Sequence, residues 1–333
     1  MPRNRRVDLF YHGYELPALD RPLGRVQSNL HLLARTAYRG LRRRQPYTGF
    51  YTAFRNLKRA LEQAGLDVRV NDFNYARSNP QQPVGISGHA DVYNRVLLPN
   101  PAVFGPGYVP PPDSIDAVTR GTNIRIFTQP SEWPCQILRP RLGDRVQPFF
   151  APIDLNDWPD RSAGPKTHDV IIYDKIRWHR DHMVPRLLQR LQRHLEARGL
   201  SHVVLRYGEH PLAQFRTALK DGQVLAFLCE HETQGLAYQE AMASGLPVFA
   251  WDEGKLVDPH EIKAAPDGFT VSSVPYFDAR CGMTFTEAEL ENRFDSFWAA
   301  RDSYAPRDFV AEMLSPERAA KTYLDLLDRA AAA

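Results

Sequence analysis

The chain has 333 residues, of which 43% are hydrophobic and 24% charged, enough apolar material for two ordinary domains and too much for a disordered or collagen-like polypeptide. Its longest apolar run, Val224 to Cys229, has the length of a buried strand and falls far short of a membrane span. Three widely spaced cysteines (Cys135, Cys229, Cys281) argue against a disulfide framework, and the basic start Met1-Pro2-Arg3-Asn4-Arg5-Arg6 lacks the apolar stretch of a signal peptide, so a cytoplasmic location is expected.

The first predicted strand is Val7–Tyr11, ending at His12-Gly13, and a helical stretch is expected near Leu30–Arg43. Here the net charge of +3 shows its asymmetry. Residues 1–165 hold 22 Lys and Arg against 14 Asp and Glu, whereas residues 166–333 hold 20 against 25. The densest basic run, Arg39-Gly40-Leu41-Arg42-Arg43-Arg44, suits anionic lipid, a phosphorylated substrate or nucleic acid, and equally a solvated arginine-rich loop. No nucleic-acid-binding motif accompanies it, which leaves nucleic acid the least favoured partner.

An amphipathic helix follows over about Phe50–Ala64, with Phe54, Leu57 and Leu61 at helical spacing and Gly65 as its cap, and then a strand over Leu66–Val70. Strand, helix, strand is the opening of a parallel α/β sheet. The proline-rich middle reads as loops around a strand near Val96–Leu98, with Asn100–Gly107 as a loop. Ile124–Phe127 reads as another strand, and Ser131-Glu132-Trp133 as the cap of the helix after it. Residues 159–166 have linker composition, which divides the chain into an N-terminal domain, 1–160, and a C-terminal domain, 161–333.

The second cycle reads as strand Asp169–Tyr173, a long helix His182–Arg198 capped by Gly199, strand His202–Tyr207, helix Pro211–Lys220, strand Val224–Cys229, helix Leu236–Ser244 and strand Pro247–Trp251. Helices Glu287–Ala299 and Pro316–Ala330 close the chain, and the last is expected to pack back on the N-terminal domain. Strands alternating with helices twice over predict an α/β protein of two Rossmann-like domains facing each other across a cleft.

The segment carrying most chemistry runs from Phe227 to Val248. An apolar strand delivers a turn with Glu232, and Gly235 opens a helix, so the turn lies where parallel sheets bind ligands. The free N–H groups of Gly235, Leu236 and Ala237 favour an anion there, and Gly235 lets a ligand approach the backbone. Glu240 lies about a turn and a half further along, roughly 8–10 Å from Glu232 at the rise of a helix. Two carboxylates flanking an anion site suit a diphosphate-linked ligand with hydroxyls at both ends; the plainer reading is a cap and an exposed helical carboxylate. His179 and His182, three residues apart near Asp181, hint at a metal site, but a set of three suitably spaced ligands is not evident.

This segment resembles the Glu-x7-Glu motif of retaining GT-B glycosyltransferases, above all glycosyltransferase family 4, at Glu232, Gly235, Glu240 to Ala243 and Gly245 to Val248. Thr128-Gln129-Pro130-Ser131-Glu132-Trp133 and Pro152-Ile153-Asp154-Leu155-Asn156-Asp157-Trp158 resemble two further segments of that family, in the same order. The resemblance implies a nucleotide-diphosphate-sugar donor, an acceptor it does not identify, retention of configuration, and no metal or other cofactor; the basic N-terminal charge, not the resemblance, suggests a lipid-linked sugar or other glycan as that acceptor. It implies that Glu232 contacts the transferred sugar near the reacting carbon and that Glu240 holds the ribose. Thr233, Gln234, Gly235 and Leu236 would line the donor, with Lys175 and Arg177 on its phosphates and Tyr207 and Gly208 beside the nucleotide. His89 is the residue a family histidine beside the donor would match. Charge alone adds peripheral contact with an anionic membrane as an expectation. A nucleotide-sugar-binding protein without turnover and a sugar-nucleotide epimerase of the same fold are the alternative readings.

Overall fold

A computed structural model of the chain describes residues 4–12 and 49–333, together with isolated helical positions at 26, 30, 33, 34 and 38. Gly13, Tyr14, Gly24 and the basic run from Arg39 to Arg44 lie outside the described residues, as does most of the helix expected over Leu30–Arg43. The chain forms two compact units, Met1–Pro152 with Pro316–Ala333, and Ile153–Ser315.

The first unit is built on a parallel sheet with the order β2-β1-β3-β4-β5-β6. Its strands are β1 (Arg6–His12), β2 (Asp67–Val70), β3 (Val84–Gly88), β4 (Ala102–Gly107), β5 (Ile124–Gln129) and β6 (Val146–Pro148). The helix Gly49–Gln63 buries Ala53, Phe54, Leu57, Ala60 and Leu61, one stripe of a 3.6-residue period. It ends at Gly65, whose φ of +81° lets Leu66 N–H reach back to the Leu61 carbonyl at 3.2 Å. Gly199 repeats this cap in the second unit, with φ +67° and a bond from Leu200 N–H to the Leu195 carbonyl at 3.0 Å. The closing helix, Pro316–Ala332, packs against Gly49–Gln63 within the first unit.

The second unit has the order β11-β10-β9-β7-β8, again parallel, with β7 (His168–Asp174), β8 (His202–Arg206), β9 (Gly222–Leu228), β10 (Val248–Trp251) and β11 (Gly282–Phe285). The central strands β7 and β9 are almost wholly buried and read as continuous apolar runs, whereas edge strand β8 leaves Val204 and Arg206 exposed. Their core gathers Ile172, Leu191, Phe249, Phe285, Phe294 and Phe297. Among the described residues no helix is long and apolar enough to cross a membrane.

Three expectations fail. Val96–Leu98 is not a strand: it follows a short helix, Val92–Arg95, and buries Val96 and Leu98 in the core while Leu97 stays 51% exposed. The strand of this region is β4, read from sequence as a loop because Pro101, Gly105, Pro106 and Gly107 all argue against one. Its glycine is required by close approach, since a Cβ on Gly105 would stand 1.8 Å from Thr128 Oγ1 of neighbouring β5. Third, the long helix His182–Arg198 is two helices, Arg180–Arg186 and Leu188–Ala197. Pro185 cannot donate to the carbonyl four residues back, and the chain leaves helical geometry at Leu187 (φ −112°, ψ −71°). Strands β3, β6 and β11 and the helix Pro306–Met313 had no counterpart in the sequence reading.

Candidate functional site

In the second unit β7 pairs with β8 on one side and β9 on the other. The order therefore reverses between β7 and β9, and the carboxyl ends of strands at such a reversal are where open parallel sheets bind ligands. Lys175 to Trp178 follow β7; Cys229 to Gly235 follow β9.

The two loops are tied together. Lys175 N–H donates to the Leu228 carbonyl at 2.9 Å, and the Glu230 carboxylate accepts from Arg177 N–H at 3.0 and 3.2 Å and from Trp178 N–H at 3.0 Å. The Arg177 guanidinium donates to the His231 carbonyl at 2.7 Å, lies 4.2 Å from the centroid of the Trp178 ring, and Trp178 stacks on His231 at 5.0 Å. Burial, with Arg177 close by, drives the His231 imidazole down to about 4, so it is neutral at physiological pH. Arg180, in contrast, is committed to structure: it clamps the buried Asp174 at 2.9 and 2.7 Å.

Lys175 and Glu232 form an ion pair with side chains only 14% and 9% exposed. Burial is the largest single influence on the lysine and lowers its pKa, but the charge and hydrogen bond of Glu232, with Cys229 and Tyr207, together outweigh it, and the ammonium is held above its ordinary value. Cys229 Sγ donates to Glu232 Oε1 at 3.4 Å, and Glu232 N–H is bound to the Ser272 carbonyl at 3.0 Å. Lys175 Nζ also lies 4.4 Å from the centroid of the Tyr207 ring, on the loop after β8, which is half exposed. Gly208 next to it turns with φ +80°. The crevice thus brings together Lys175, Arg177, Tyr207 and Glu232 from three strand ends.

Gly235 caps the helix Leu236–Ala243 from the left-handed region, φ +81°. Leu236 is half-buried at its first turn, where free N–H groups and the helix dipole favour negative charge. Thr233 is half-buried, but Gln234 turns inward, donating to Gln239 Oε1 at 2.9 Å while Gln239 returns a bond to the Gln234 carbonyl at 3.1 Å. Gln234 therefore shapes the turn from within. Glu240 sits half-buried further along, and burial pushes its carboxyl up to about 8 against the opposing pull of Arg216. A 360 Å³ cavity of this unit, lined by Trp158, Arg161, Arg216 and Ser244 among others, includes none of the predicted site residues.

The first unit has the same kind of switch point between β1 and β3. There His12 Nε2 lies 3.0 Å from Asp91 Oδ2, His89 N–H donates to the His12 carbonyl at 3.3 Å, and the His89 ring packs edge-on against Phe50. Of His179, Asp181 and His182, the last contacts Arg186 at 2.5 Å, and no group of three or more His, Cys, Asp or Glu suited to a metal is found among the described residues.

Sequence reasoning passed over Glu230, His231 and Trp178. A signal existed for Glu230: it is the first acid after the apolar run of β9, two residues before Glu232, where a buried carboxylate needs donors.

No protein-family model matches the chain, and no curated protein does. Solved structures do. The chain is similar to sucrose-phosphate synthase from Thermosynechococcus elongatus, with a TM-score of 0.57 and 12% identity over 98% of this chain and 99% of that one. It is similar to the lipopolysaccharide outer core galactosyltransferase WaaB in its apo form, with a TM-score of 0.51 and 7% identity over 97% and 99%. A glycosyltransferase from Rickettsia africae ESF-5 gives 0.51 and 10% over 98% and 99%. At such identities the likeness concerns the fold. The chain has two Rossmann-like units, with parallel sheets of six and five strands, and its fold is the GT-B fold of glycosyltransferases.

Proposed function

We propose that the protein is a retaining glycosyltransferase that moves a sugar from a nucleotide-diphosphate sugar to an acceptor. The observation that carries this reading is the Lys175–Glu232 ion pair at the β7–β9 switch point, beside a glycine-capped helix start. A carboxylate and a cation side by side match a donor whose sugar hydroxyls and phosphates meet at the reacting bond. When the bond from the anomeric carbon to the diphosphate oxygen breaks, negative charge grows on the leaving diphosphate. Lys175, Arg177 and the free amides at Leu236 and Ala237 are the groups able to stabilise it. Glu232 would then accept from the sugar's hydroxyls while positive charge grows on its ring.

The direct test is a thermal-shift panel of nucleoside diphosphates and their sugars on the full chain. A ligand that binds only the folded state raises the melting temperature once its concentration exceeds its dissociation constant. One base should give a clear shift; no shift with any of them would remove the donor reading and leave the fold standing.

Glu240 adds a pH signature. With its carboxyl at about 8 in the free protein, accepting two ribose hydroxyls requires loss of its proton. Nucleotide affinity should therefore rise about tenfold per pH unit up to about pH 8 and level off above. Titration calorimetry from pH 6 to 9 tests this: the slope should vanish in Glu240→Gln, and a flat profile in the unaltered protein would take Glu240 out of the ribose site. The same raised value means that folding holds this proton more tightly than the unfolded chain does. Its contribution to stability is present at acid pH and declines as pH rises from the carboxyl's ordinary 4.5 towards 8.

A further inference from the structure

We propose that Glu230 is a positioning residue that fixes the loop after β7 so that Lys175 meets Glu232; the inference rests on the donor reading above. Each backbone N–H of that loop has one identified acceptor residue. Lys175 N–H goes to the Leu228 carbonyl at 2.9 Å and Ile176 N–H to Asp174 Oδ1 at 3.1 Å. Arg177 and Trp178 both donate to the Glu230 carboxylate, at 3.0–3.2 Å. Asp174 is in turn held by Arg180, so the start of the loop is fixed from its own strand. The far half is fixed from β9, by Glu230 together with the Arg177 guanidinium on the His231 carbonyl.

Glu230 is 5% exposed, and its oxygens face these amides. A donor in the crevice would not meet them, so the residue acts through the loop. A carboxylate suits the task better than an amide would. Two amide donors converge on it, and bonds to a charged acceptor are about twice as strong as neutral ones. It also stands two residues before Glu232 on the same loop. The bonds that hold Arg177 and Trp178 therefore set the register in which Lys175 and Glu232 face each other across the crevice.

The test compares Glu230→Gln and Glu230→Asp with the unaltered full chain by hydrogen exchange and by titration with UDP, GDP and ADP. In Glu230→Gln one oxygen becomes a donor facing amide N–H groups. Exchange in the peptide spanning 175–178 should accelerate at least about tenfold while the strands of the same unit keep their protection. Affinity for the nucleotide that binds should fall about tenfold, with partial recovery in Glu230→Asp. In a Lys175→Ala background Glu230→Gln should cost little more, because the lost effect passes through Lys175. Unchanged exchange, full additivity with Lys175→Ala, or tighter nucleotide binding would each overturn the proposal, the last by showing that Glu230 competes with the donor for those amides. If the unaltered protein binds no nucleotide, the donor reading fails, while the exchange result still decides whether Glu230 holds the loop.

Discussion

Glu232→Gln should cut sugar transfer about a thousandfold, a loss of the size seen when one preorganised electrostatic contact is removed from an active site. The same change should destabilise the fold by about 3 kcal/mol, because it strands a buried partner. Lys175 is only 14% exposed, and its ammonium is held above its ordinary value by Glu232 against the effect of burial. With a neutral amide opposite, the main influence opposing burial is gone, and the lysine's value moves down. The variant thus loses the carboxylate beside the sugar and weakens the cation beside the diphosphate. Two measurements separate these effects: the denaturation midpoint, and turnover with whichever donor the thermal-shift panel identifies. The double variant Glu232→Gln with Lys175→Met removes both charges and should regain much of the stability but none of the turnover. Normal turnover by a folded Glu232→Gln protein would take Glu232 out of the site. On the lysine side the pair's contribution to stability has a defined window. A raised folded value keeps it intact below the ordinary lysine value of 10.5, and it is lost only as pH climbs through the higher, folded one.

How far the fold was legible depended on how each strand meets its neighbours. β7 and β9 are buried on both faces, so their apolar runs stand out in composition, and the turn after β9 followed from the run's end and Gly235. β4 is buried as deeply but is built from Ala102, Val103, Phe104, Gly105, Pro106 and Gly107, and its glycines answer to the backbone and to Thr128 across the sheet. That demand comes from Thr128, 23 residues further along the chain, which local patterning does not contain. β3 is similar, since a Cβ on Gly85 would stand 2.2 Å from the Tyr323 hydroxyl of the closing helix. The candidate site divides the same way. Glu232, Gly235 and Glu240 lie in one continuous segment, so the sequence alone singles them out as candidates. Lys175 and Arg177 were placed only by their position after a strand, and their partners Glu232 and His231 depend on which strands are adjacent in the sheet. Glu230 shows in the sequence only as an acid placed just after a buried strand; the amides it accepts from depend on which loops lie side by side.

Gly235→Ala should cost roughly 3 kcal/mol of stability, combining about 1–2 for a Cβ in the left-handed region with about 1–3 for overpacking. Gly235 has φ +81°, and a Cβ there would stand 2.2 Å from Tyr238 Cε1 and 3.4 Å from Glu232 Cγ. The tyrosine ring has no room to retreat. It is fully buried, packs against Phe227 at 5.5 Å, and its hydroxyl accepts from Tyr276 N–H at 3.1 Å and from Gln239 Nε2 at 3.3 Å. Displacing the ring would therefore disturb the Gln234–Gln239 pair as well, and with it the turn that presents Glu232. Gly254 supplies the control. It has φ +67° but only the Val271 carbonyl within reach, at 3.9 Å, so Gly254→Ala should show the conformational cost alone, about 1–2 kcal/mol. Denaturation midpoints of the two variants isolate the packing contribution by difference, since both carry the same left-handed strain. If the two variants lose equal stability, the Tyr238 ring yields to the new methyl group, and close packing is not what requires glycine at the helix start.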